Sequence, residues 1–165
     1  MVKLAGSVLI LAGGLLARRS RGAECRRRLD TLSDLLSALR RMGEEIRMAR
    51  TPFPLLLERL ASGCGPEAGT FFRTAASAAK QGTNLPAAWA KAAQALPLPE
   101  ADRAAVAALG EDLRGDEETI CKAVSLVTYQ LAKTLEELLQ RKPEEDKRTA
   151  ALCLSGAALL VILLL

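Results

Sequence analysis

A chain of 165 residues, half of them hydrophobic, is sized for one domain with a helical rather than a sheet core, because Leu and Ala dominate and β-branched residues are sparse. The net charge of +4 and the lack of any aromatic residue before Phe53 argue against a nucleic-acid binder. The absence of histidine removes the commonest general base and the commonest metal ligand together.

Leu4 to Ala17 is an uncharged apolar run, followed at once by Arg18, Arg19, Arg21, Arg26, Arg27 and Arg28. Such a basic cluster beside an apolar run marks a membrane edge. A cleaved signal peptide is the rival reading, but its basic residues precede the apolar run, whereas here they follow it. Glu24 to Arg50 then reads as an amphipathic helix. Leu29, Leu32, Leu36, Leu39 and Ile46 recur at steps of three and four, apart from a gap at Gly43, and Leu35 and Met42 widen the stripe. Its polar face carries Asp34, Arg40, Arg41, Glu44 and Arg47.

Thr51-Pro52 restarts the chain, with Thr51 as the expected N-cap of a short helix through Leu60. Ser62-Gly63-Cys64-Gly65-Pro66 is a loop. A third helix runs to about Lys80 with Phe71, Phe72, Ala75, Ala76 and Ala79 inward, and Gly82 is its expected stop. Asn84 can cap a fourth helix carrying Leu85, Ala88, Trp89 and Ala92, which Leu96-Pro97-Leu98-Pro99 breaks. A fifth spans about Glu100 to Leu113. Gly115-Asp116 opens the last long helix, striped by Ile120, Val124, Val127, Leu131, Leu135 and Leu138. Pro143 should kink or end it before a second uncharged run, Ala150 to Leu165.

The two end runs would be roughly 21 Å and 24 Å long as helices, short against a hydrocarbon core of about 30 Å. Snorkelling by Lys3, Arg18 and Arg148, or local bilayer thinning, can close part of the gap. The expected architecture is therefore all-α: a six-helix cytoplasmic bundle flanked by two short transmembrane helices. The expected divisions are 1–17 and 150–165 as transmembrane segments and 18–149 as the helical domain. Basic residues at the inner edge of both runs place 18–149 in the cytoplasm and both termini outside. Gly6, Gly13 and Ala17 offer a small-residue face through which the chain could form a homo-oligomer.

Chemistry is sparse. Ser and Thr have no His partner. The acidic pairs Glu44-Glu45, Glu117-Glu118, Glu136-Glu137 and Glu144-Glu145 point about 100° apart on helices and do not converge on a substrate. Cys25, Cys64, Cys121 and Cys153 are scattered, with no C-x-x-C spacing, which fits a reducing compartment. Gly63, Gly65 and Gly69 lack the phosphate-loop spacing and read as a turn. No enzyme, catalytic residue, metal site or cofactor is expected. The exposed charges Arg40, Arg41, Asp112 and Asp116 are candidate partner contacts, and solvation alone would also account for them.

Several segments carry a resemblance: Met1-Val2-Lys3-Leu4-Ala5-Gly6 before the first apolar run, Glu44-Glu45-Ile46, Thr51-Pro52-Phe53-Pro54, Leu57-Glu58-Arg59-Leu60, Ala87-Ala88-Trp89, Leu109-Gly110-Glu111-Asp112-Leu113 through Asp116, and the Leu-rich terminus. With them the chain resembles, end to end, the stage III sporulation protein AB family, relatives of the type II secretion F platform proteins. The resemblance implies a scaffold in the mother-cell membrane of a sporulating bacterium. It implies a place in a secretion-like channel toward the forespore, docking of the cytosolic stage III sporulation ATPase AA, and contacts with other membrane subunits of the complex. The alternative is a generic membrane-tethered helical module that acts through anionic lipids at the Arg18–Arg28 cluster or through a partner helix.

Overall fold

A computed structural model describes the backbone of residues 2–48 and 51–164 and the side chains of residues 22–48 and 51–140. Among the described residues there are six α-helices and no strand: α1 (Val2–Met48), α2 (Phe53–Ser62), α3 (Pro66–Lys80), α4 (Leu85–Gln94), α5 (Glu100–Asp112) and α6 (Glu117–Leu164). The chain separates into two compact units, residues 1–131 and 132–165. The second unit consists of the C-terminal part of α6.

The apolar end runs are not separate helices; the backbone of α1 and α6 continues through them. Nothing between Ala17 and Glu24 breaks a helix, since one exposed Gly costs only about 1 kcal/mol. Pro143 does not end α6. A proline inside a helix removes one backbone hydrogen bond and crowds the carbonyl four residues back, but a long helix on either side can carry that loss. Among the described residues no helix is long and apolar enough to cross a membrane. The runs expected to do so, 1–17 and 150–165, have side chains outside the described ones, as do Gly6, Gly13, Ala17 and Cys153.

In the first unit the heptad-like stripe of α1 supplies the longest wall of the core. Leu29, Leu32, Leu35, Leu36, Leu39 and Met42 are all buried, and Ile46 is half-buried near the helix end. Each buried side chain of this size contributes about 1.5–3 kcal/mol of burial free energy. Helices α2 and α3 pack on α1 and on each other, followed by α4 on α3 and α5 on α4. Trp89 sits at the centre with no exposed surface. Its ring meets Phe71 edge-on at 4.6 Å and Phe72 at 6.1 Å, and its N–H donates to the Val106 carbonyl at 2.7 Å.

The breaks follow from Pro, Gly and capping side chains. Pro52, not Thr51, is the N-cap of α2, and its carbonyl accepts from the N–H groups of Leu55 and Leu56. The fixed φ of Pro52 places the start one residue later, leaving the Thr51 hydroxyl to donate to Glu45. Gly82 closes α3 with φ +63°, while the Thr83 N–H reaches the Ala78 carbonyl and the Gly82 N–H reaches that of Ala79. Asn84 caps α4 as expected. The inward residues there are Pro86, Trp89 and Ala93, because a helix only 10 residues long buries the strip centred on its largest side chain. In α3 the inward alanine near the end is Ala78, not Ala79. The linker after α4 also turns into the core, with Leu96 and Leu98 buried.

Candidate functional site

The middle of α1 carries the basic cluster. Arg18, Arg19 and Arg21 have side chains outside the described ones. Arg26, Arg27 and Arg28 are exposed. Arg28 reaches back one turn to Glu24 at 3.3 Å, and Arg27 Nε donates to Glu67 Oε1 at 2.8 Å. Glu67 lies in the first turn of α3, where a carboxylate is also favoured by the helix dipole. About two turns beyond Arg27 on α1, the Asp34 carboxylate accepts the Gly65 N–H at 2.8 Å. Thus the glycine turn is filled by a protein carboxylate. A side chain at position 65 would begin 2.8 Å from that oxygen, so a larger residue there must push the Asp34 carboxylate off the Gly65 N–H. Asp34 leaves the solvated face it shares with Arg40 and becomes a remote cap that holds α3 on α1.

At the other end of α1's described stretch lie the remaining candidates. Arg40 and Arg41 are exposed. Arg41 lines a groove between α1 and α2 with Glu44, Glu45, Met48 and Arg59. Asp112 ends α5, and Asp116 caps α6, its carboxylate accepting the Thr119 N–H at 3.0 Å. Hydrogen bonds from the Thr119 side chain and backbone hold the Asp116 carboxyl below its ordinary pKa. Asp116 lines a second groove, beside Arg47 rather than beside Arg41. The four candidate contacts are therefore dispersed: Arg41 and Asp116 line different grooves, Asp112 ends α5, and Arg40 is exposed along the side of α1.

The start of α6 is fixed against α1 at Gly43. The Cys121 thiol donates to the Gly43 carbonyl at 3.9 Å, and Val124 packs 3.5 Å from where a side chain would start at Gly43. An added methyl at position 43 would only touch Val124 at ordinary van der Waals distance, so space there does not require the glycine. From Arg27 to Gly43 is roughly 24 Å along a helix axis, so the basic stretch of α1 and the acidic α5–α6 turn lie well apart. Sequence reasoning passed over Leu126 and Tyr129, which are 70% and 72% exposed on α6. Their i, i+3 spacing beside the Val124, Val127 and Leu131 stripe was the available signal. Among the described residues no group of His, Cys, Asp or Glu is placed to hold a metal ion.

A small helical bundle whose first and last helices continue into the chain ends is the class of protein these features define. A family model described as stage III sporulation protein AB matches residues 3–165. The chain belongs to that family and is a sporulation-related protein. It is also similar to a solved structure of a stage III sporulation protein AB, at 19% identity and a TM-score of 0.65, over 72% of this chain and 98% of that one. A likeness at that identity bears on the fold. No curated protein matches.

Proposed function

We propose that this protein is a membrane platform subunit of a secretion-like complex between mother cell and forespore, with a helical domain that docks the cytosolic stage III sporulation ATPase. Family membership supports the setting. The observation that carries the mechanical part is the continuity of α1, which joins the first apolar run to seven buried core side chains on one helix. A displacement applied to the bundle by a bound ATPase would pass along such a helix without a hinge. The apolar ends anchor the chain, the Arg18–Arg28 cluster holds the inner edge of the bilayer, and residues 18–149 face the cytoplasm. The chain itself catalyses nothing in this reading; the partner supplies nucleotide energy.

Arg40, Arg41, Asp112 and Asp116 are the proposed contacts, all exposed. The test is charge reversal in sporulating cells, Arg40→Glu with Arg41→Glu and, separately, Asp112→Lys with Asp116→Lys. Loss of ATPase recruitment to the membrane is expected, with the chain itself still inserted. Full recruitment by both pairs removes these residues from the interface.

The lipid-binding alternative is favoured by Arg26, which is exposed and makes no ion pair among the described residues. It expects that anionic vesicles retain the protein in proportion to the charge at Arg26–Arg28, and that sporulation fails when those charges are removed even though the ATPase is still recruited.

A further inference from the structure

On its inner side α6 buries Val124, Val127 and Leu131, yet on another face it leaves Leu126 and Tyr129 open to solvent. Three residues apart, these two side chains are neighbours on the helix surface. Four places before Leu126 stands Lys122, and four places after Tyr129 stands Lys133. The other residues within one turn of the pair on that face, Ala123, Ser125, Gln130 and Ala132, carry no charge. Acids resume only a turn further out, at Glu118 before Lys122 and at Glu136 and Glu137 after Lys133. Lys133 is exposed and forms no ion pair among the described residues. Lys122 meets Glu118 at 2.7 Å, but the two side chains are 75% and 74% exposed, and an ion pair so open to water is readily exchanged for another carboxylate.

A leucine and a tyrosine bracketed by lysines about 17 Å apart along the axis are complementary to a helix that carries aliphatic side chains at its centre and Asp or Glu toward either end. We propose that the Leu126–Tyr129 face of α6, with Lys122 and Lys133 at its ends, docks an acidic amphipathic helix of another protein. A second copy of this chain is the poorer occupant. An antiparallel two-fold that lays Leu126 on Tyr129 sets Lys122 against Lys133, and a parallel one sets each lysine against itself. An anionic bilayer is poorer too. Along α6, Lys133 stands about 26 Å short of the apolar run that starts at Ala150, well beyond the ~8 Å over which charges act in physiological salt. The proposal rests on the reading of this chain as a docking subunit and names the chemistry of what docks.

The test uses the full chain in a zwitterionic detergent and a dye-labelled amphipathic peptide of Leu and Glu, about five helical turns long. A matched peptide of Leu and Lys is the control. Fluorescence anisotropy should show the Leu/Glu peptide bound at least about tenfold more tightly than the Leu/Lys peptide. Leu126→Ser with Tyr129→Ser should weaken it by about tenfold or more. Lys122→Glu with Lys133→Glu should weaken it as much and make the Leu/Lys peptide the tighter ligand. Arg73→Glu with Lys91→Glu, an equal change of charge at exposed positions on α3 and α4, should leave binding unchanged. Equal affinity for the two peptides, full binding by the Leu126/Tyr129 variant, or an equal loss in the Arg73/Lys91 variant overturns the proposal. So does a concentration-dependent dimer in sedimentation that the Leu126/Tyr129 variant abolishes. In phosphatidylglycerol vesicles, an environment-sensitive dye on Leu126→Cys, with the native cysteines replaced by alanine, should emit as in water until the Leu/Glu peptide is added; an apolar emission without peptide assigns the face to the bilayer and overturns the proposal. Failure of the docking reading itself shows elsewhere, as normal ATPase recruitment in sporulating cells that lack this chain.

Discussion

Gly110 and Cys64 show how tightly single side chains are specified. A methyl group at position 110 would begin 2.8 Å from the Trp89 ring. Trp89 cannot retreat, since Phe71 and Phe72 close two of its sides and its N–H is bound to Val106. Gly110→Ala should therefore destabilise the bundle by about 1–3 kcal/mol, read from chemical denaturation followed by circular dichroism. The Cys64 thiol is pushed above its ordinary pKa of 9.0, first by burial and then by the Asp34 charge, against the smaller pull of Arg41. A thiol whose folded pKa is raised supports the fold below the ordinary value, and that support is lost as pH rises through the folded value. Iodoacetamide should accordingly modify Cys64 more slowly in the folded protein than in the unfolded chain at pH 8, with the rate climbing only above pH ~9. Equal rates would show that Asp34 and burial do not protect the thiolate's parent thiol.

Between elements, α5 is joined to α6 by a polar latch. The Gln130 amide donates to the Ala101 carbonyl at 3.2 Å and to the Asp102 carboxylate at 3.1 Å. Asp102 is only 1% exposed, so removing one of its donors leaves a charge that water cannot readily reach. Gln130→Ala should cost about 1–3 kcal/mol, and a double-mutant cycle with Asp102→Asn should show that the two changes are not additive. The latch also marks where reading along the chain stops. The α1 stripe and the breaks at Pro52, Gly82, Asn84 and Pro99 were legible because their signals are local: a period of three to four, or a residue with a restricted backbone. Asp34 capping Gly65 and Gln130 joining Asp102 connect positions about thirty residues apart, and no local pattern encodes such a pair. Of the candidate site, exposure of the charged residues was legible from the polar face. That Arg41 and Asp116 line different grooves was not, because the groove at Asp116 depends on α6 docking beside Gly43.

For the molecule as a whole, the proposed platform role turns on whether the chain is held at a membrane and on which side the bundle then lies. The cysteines make this measurable. Cys121 is buried, Cys64 is partly open but holds its thiol proton above the ordinary pKa, and Cys25 is partly open beside Arg26, Arg27 and Arg28. A full chain that keeps Cys25 and carries Cys64→Ala, Cys121→Ala and Cys153→Ala is therefore the reporter. If basic residues hold their flank of the membrane inside, a membrane-impermeant maleimide should leave Cys25 unlabelled in intact cells and label it after permeabilisation. Fractionation should find the same chain with the membrane until detergent is added. Labelling in intact cells would place the bundle outside, where a cytosolic partner could not reach Arg40, Arg41 or the face at Leu126, and both docking proposals would fall together.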